Sequence, residues 1–165
     1  MKAGLLQEVQ NTFAALYKTL SLFDQSEINV IPFEGSWTPG QVTRHIIKAT
    51  SGFHKVCDIN TKKLNGAIDE KIPVLKEIFL NFDVKYNSPE SVYPEDREYD
   101  KNELVSRLQK IESEILDIAE NYDLSLTCLD FEIPGVGNLT IYELINFAIF
   151  HTKRHIHQLK VIHEK

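Results

Sequence analysis

Four stretches of this chain repeat apolar residues at alternating steps of three and four, the spacing that lays one stripe along a helix. The first runs from about Lys2 to Phe23 through Leu6, Val9, Phe13, Leu16, Leu20 and Phe23. The second opens at Thr38, a good N-cap, with Pro39 at the first helical position and Gln41 completing a capping box. Its stripe is Val42, His45, Ala49, Gly52 and Val56, with Ile46 and Phe53 beside it, which predicts one helix at least to Cys57. The third starts at the Asp100/Glu103 box and reaches Tyr122 through Leu104, Leu108, Ile111, Ile115 and Ile118. The fourth starts at the Thr140/Glu143 box and carries Leu144, Ala148, His151, His155, Leu159 and Ile162. A helix with one narrow apolar stripe buries it against other helices. Four of them predict an all-α, four-helix bundle with long inter-helix connections, residues 1–165 forming one domain.

The connections are less regular. Pro32 and Gly35 interrupt any helix between Asp24 and Trp37, and Asn65-Gly66 marks a stop or bend. Val74 to Phe82 reads as a short helix after Pro73. Residues 83–100 hold two prolines and many polar groups, a loop long enough to carry function or to act as a plain crossover. Leu126 to Ile133 has extended character, but strand signals are too few to predict a sheet of any size.

The fourth stripe is the informative one, because His151 and His155 stand where the pattern demands apolar side chains. Four residues apart on a helix, their rings project from one face and one turn apart. His45 takes a comparable place one turn after Val42. Buried imidazoles need partners for their nitrogens. Three neutral imidazoles converging in the seam would suit zinc, nickel or a related divalent ion and leave a coordination position open. The bland alternative is three hydrogen-bonded packing residues. His157 is expected to face away, and His54 and His163 to lie at the surface or edge.

Other chemistries lack their signatures. No histidine has a Glu three positions before it, so the Glu-x-x-His pair of di-iron bundles is missing. There is no H-E-x-x-H, no nucleophile elbow, and Gly135-Val136-Gly137 lacks the rest of a phosphate loop. A net charge of −6 without a basic, aromatic-studded patch argues against nucleic acid as a partner. The longest apolar run, Leu144 to Phe150, is too short to span a membrane, and the polar start resembles no signal peptide, so the expected location is the cytoplasm. Cys57 and Cys128 are expected as free, buried thiols.

Two segments resemble the DinB-like superfamily of bacterial four-helix-bundle metalloproteins. One is Trp37-Thr38-Pro39-Gly40-Gln41-Val42-Thr43-Arg44-His45, similar to the family's tryptophan, helix start and histidine. The other is His151-Thr152-Lys153-Arg154-His155-Ile156-His157-Gln158, similar to its late H-x-x-x-H-x-x-Q helix. The resemblance implies a histidine triad of His45, His151 and His155 holding zinc or nickel, with Gln158 supporting it, Trp37 packing beside it, and a homodimer. Arg154 is left with two roles, an anchor for an anionic cofactor group or a structural ion pair. Characterised members include thiol-dependent S-transferases and isomerases that use bacillithiol or mycothiol. The implied function is therefore a metal-dependent transferase that joins a low-molecular-weight thiol to a small electrophilic substrate. A metal-dependent hydrolase comes second, and a non-catalytic bundle with vestigial histidines third.

Overall fold

A computed structural model describes residues 1–165. Six helices follow one another: α1 (Lys2–Leu20), α2 (Pro39–Thr50), α3 (Phe53–Ile59), α4 (Ile72–Leu80), α5 (Lys101–Asn121) and α6 (Ile141–His163). The four long stripes predicted from spacing form the expected bundle. Helices α5 and α6 each pack against both α1 and α2, so α1 and α2 take diagonally opposite corners. That arrangement needs connections that cross the ends of the bundle, which is why the loops are long. One contiguous apolar cluster runs from Leu5 to Ile162 through all four corners.

The predicted second helix is two helices. Gly52 adopts φ +80°, ψ +18°, a left-handed conformation open to glycine at little cost, and the chain turns there. Just before the break, the Thr50 and Ser51 hydroxyls donate to the carbonyls of Ile46 and Ile47 at 2.7 and 2.5 Å. The Asp100/Glu103 box of α5 forms in one direction: the Asp100 carboxylate accepts from the Glu103 N–H at 2.9 Å.

A small sheet adds to the bundle. Strands β1 (Thr61–Lys63), β2 (Leu126–Ile133) and β3 (Gly137–Thr140) pair antiparallel with β2 in the middle, Thr61 opposite Cys128 and Cys128 opposite Leu139. These strands were hard to read because β1 is short and polar and β2 carries an irregularity between Cys128 and Glu132 that disrupts its alternation. Cys57 and Cys128 are buried free thiols packed at this junction of helix and sheet. The adjacent thiol, together with burial, pushes the Cys57 thiol up.

The sheet sets the phase of α6. Thr140 ends β3 and is also the N-cap of α6, accepting from the Glu143 N–H at 3.1 Å. The Glu143 carboxylate is 2 % exposed, and it accepts from the N–H groups of Thr140 at 2.9 Å and Lys71 at 2.7 Å. This single buried side chain ties the start of α6 to the start of α4. Helix α4 then covers a second side of α6, with Phe79 on Phe147 and Lys76 over Phe150, and α6 also buries Ile145 and Ile149 beyond its predicted stripe.

Candidate metal centre

The bundle seam brings the three predicted histidines together. His45 comes from the middle of α2, whose start is fixed by the Thr38/Gln41 box, with mutual hydrogen bonds of 3.1 and 3.0 Å. His151 and His155 come from successive turns of α6. His45 Nε2 lies 3.0 Å from His151 Nε2, and His155 Nε2 lies 3.2 Å from the same atom. All three offer ligand atoms within 4.8 Å of one another. Two nitrogens on a tetrahedral zinc stand about 3.3 Å apart, so the cluster has the right span for one ion.

The outer nitrogens decide the tautomers. His45 Nδ1–H donates to the Val92 carbonyl at 2.9 Å, and His155 Nδ1–H donates to Gln158 Oε1 at 2.7 Å. Both rings therefore present a bare Nε2 lone pair to the centre. His151 Nε2 sits between those lone pairs, while its Nδ1 has no partner at all among the rings of Phe79 and Phe147. The histidines are 2 %, 6 % and 8 % exposed. Burial lowers the pKa of His45 and holds His151 well below the ordinary histidine value. Burial, reinforced by His45, takes His155 down to about 3. All three rings are neutral near pH 7, so no proton competes for the lone pairs. The donor set fits a divalent ion of the zinc or nickel type.

The remaining predicted residues take specific places. Gln158 touches His155 directly. The Trp37 ring packs 5.2 Å from the His45 ring and 5.5 Å from Tyr93. Arg154 makes no ion pair. Its guanidinium donates to the carbonyls of Asn81 at 3.0 Å, Ile78 at 3.5 Å and Val84, and lies 5.4 Å from the Tyr86 ring. It fastens the end of α4 and the following loop to the helix that carries His155. His157 faces away from the cluster and stacks on Phe82 at 4.3 Å. His54 meets Asp117 at 2.9 Å, and His163 sets its edge on Phe23, both apart from the centre.

The loop of residues 83–100 is both braced and part of the site. Glu95 takes Arg44 at 2.9 and 3.1 Å, and Lys48 donates to the Tyr93 carbonyl at 2.8 Å. The Arg44 guanidinium holds the Glu95 carboxyl well below the usual range. This bracing lays Val92 across His45. A backbone carbonyl partner has no signature in the sequence, so Val92 could not be read there. The same loop walls a cleft of about 470 Å³ that reaches the centre beside His155, Gln158 and Trp37. Tyr86 and Tyr93 on its walls were legible only as aromatics in a polar loop.

The fold matches a solved structure from Bacillus subtilis, YfiT, described as a probable metal-dependent hydrolase with an unusual four-helix bundle topology. The two share 15% sequence identity with a TM-score of 0.61, over 98% of this chain and 85% of that one. No curated protein matches the chain. The family model of the DinB superfamily matches residues 5–159, nearly the whole sequence. The chain belongs to the DinB superfamily.

Proposed function

We propose that His45, His151 and His155 hold a divalent ion, zinc or nickel, and that the protein is a metal-dependent transferase joining a low-molecular-weight thiol to a small electrophile. The observation that carries this is the convergence of three neutral, buried Nε2 atoms beside a cleft that His155 lines and that has no carboxylate in its lining. Three imidazoles leave the full charge of an ion uncompensated, and an ion held there lowers the pKa of a thiol or water that it binds. The protein's own residues supply the rest. Val92 and Gln158 keep two Nε2 lone pairs aimed inward, and aromatic side chains line the cleft beside them. In the transfer, the thiol sulfur forms a bond to the electrophilic carbon and the leaving group departs with the bonding pair. The thiol proton passes to solvent through the cleft mouth. A cleft of about 470 Å³ accommodates both a thiol and an electrophile, more room than water alone requires.

Hydrolysis is the second reading, favoured by the fold shared with a probable metal-dependent hydrolase. Elemental analysis of untagged protein should find near-stoichiometric zinc or nickel, lost in His151→Ala. No metal in the parent after supplementation would sink both readings. Incubating loaded protein with a thiol and a model electrophile, beside an ester panel, separates them: thioether formation supports transfer, and ester cleavage alone supports hydrolysis.

A further inference from the structure

The cleft differs in charge from the chain as a whole. The protein carries 24 acidic against 18 basic residues, yet no Asp or Glu lines this cleft, while Lys85 and Arg154 do. Glu34 and Asp83, chain neighbours of Phe33 and Phe82, are exposed and stay outside the lining. The two cations are not equivalent. Arg154 already spends its donors on three backbone carbonyls. Lys85 makes no ion pair and no hydrogen bond, so its ammonium is free for a ligand. Asn87 and Ser88 follow on the same short segment and add neutral hydrogen-bonding groups beside it.

The rest of the wall is aromatic. Phe33, Phe82, Tyr86 and Tyr93 are 44%, 42%, 54% and 45% exposed, a concentration of part-exposed rings around one opening. Scattered exposed apolar residues are ordinary, but a contiguous patch around a concave opening marks a binding surface. The lining therefore combines a free cation, aromatic side chains and, in His155, one member of the histidine cluster.

We infer that the cleft binds a small organic acid, its aromatic or aliphatic body held between the rings and its carboxylate on Lys85, Asn87 and Ser88. This rests on the cleft being the substrate entrance of the proposed site, and it makes one of the two reactants an anion. Lys85 is a specificity residue in this scheme and is not a member of the histidine cluster.

Trp37 is the sole tryptophan and lines the same cleft, so its fluorescence reports occupancy directly. The titration uses metal-free protein, which removes any carboxylate–metal bond from the signal, with phenylpropionate and phenylbutyrate as probes. Their primary amides and the matching phenylalkylamines are the controls. Both acids should quench saturably, with the amides at least about 10-fold weaker and the amines silent, as a charge-assisted contact requires. Lys85→Gln should weaken the acids about 3- to 10-fold and leave the amides unchanged, and Lys85→Arg should restore binding. Equal affinity for acid, amide and amine, an unchanged Lys85→Gln, or no saturable signal from either acid overturns the inference. Acid binding in a protein that takes up no metal would instead refute the proposed catalysis and leave this inference standing.

Discussion

Replacing Gln158 by leucine removes the acceptor of His155 Nδ1–H while keeping a side chain of similar bulk at the cleft wall. The penalty differs between metal-free and metal-bound protein. Without metal, His155 can move its proton to Nε2 and donate to the neighbouring His151 Nε2, 3.2 Å away. With all three Nε2 atoms engaged, the proton must stay on Nδ1, buried and unpaired, at about 1–3 kcal/mol. That range converts to an affinity loss of about 5- to 150-fold, overlapping the roughly 10–100-fold typical when a ligand histidine loses its outer partner. The unfolding free energy of the metal-free protein should fall by less than about 1 kcal/mol. Competition against a chelating dye measures the affinity, and urea denaturation measures the stability. Gln158→Glu keeps an acceptor and should retain the parent affinity or better. A Gln158→Leu protein that binds metal within about twofold of the parent would refute the tautomer argument, as would a parallel loss in Gln158→Glu.

The pH dependence of the metal-free protein should follow from its buried histidines. His155 titrates at about 3 when folded and at the ordinary 6.5 when unfolded. The neutral ring's contribution is thus complete above pH 6.5 and shrinks as pH falls toward 3, since only the unfolded chain takes up the proton. At pH 4.5 one such group has removed about 2.7 kcal/mol. Urea midpoints between pH 7 and 4.5 should show a steeper fall in the parent than in His155→Leu, and equal slopes would contradict the burial argument. Gly40 offers a steric test at the start of α2. An added Cβ would stand 2.9 Å from the Ile28 carbonyl oxygen and 3.1 Å from the Tyr99 ring, so Gly40→Ala should cost about 1–3 kcal/mol by thermal melting. Gly4→Ala meets nothing within 4 Å on helix α1 and should stabilise by about 0.5–1 kcal/mol. Similar melting shifts for the two would show that the close approach at Gly40 is not felt.

What the sequence reveals and what it hides divide along physical lines. The stripe of α5, Leu104 to Ile118, buries as predicted because side-chain burial repeats with helical period. His45, His151 and His155 were readable for the same reason, polar residues standing in apolar positions. The break at Gly52 was not, because an isolated glycine within a stripe reads equally as a small packing residue and as a turn. Strand β1 pairs through backbone groups that every residue carries, so Thr61-Lys62-Lys63 gives no signal. Val92 is invisible for the same reason, since it acts through its carbonyl. For Arg154 the sequence suggests an anionic group or an ion pair, and the structure gives it a third role. Its partners are carbonyls in the last turn of α4 and just beyond it, which no residue pattern announces.

The hydrogen count within the triad bears on whether these histidines are packing residues. Val92 and Gln158 fix the protons of His45 and His155 on Nδ1, leaving two bare lone pairs that both face His151 Nε2. His151 has one proton to offer. Placed on Nε2, it serves one neighbour fully, leaves the other lone pair unserved, and strips its own Nδ1 of any partner. Two buried nitrogens then go without, at about 1–3 kcal/mol each, where leucine or phenylalanine would have filled the seam at no such penalty. A cation at the centre satisfies all three Nε2 atoms together and leaves only the His151 Nδ1–H unpaired. The cluster is a poor way to pack a bundle and a good way to hold an ion. On this count, stripping an ion from the protein should expose a frustrated core, and the preference of the site for a cation is written in its own proton inventory.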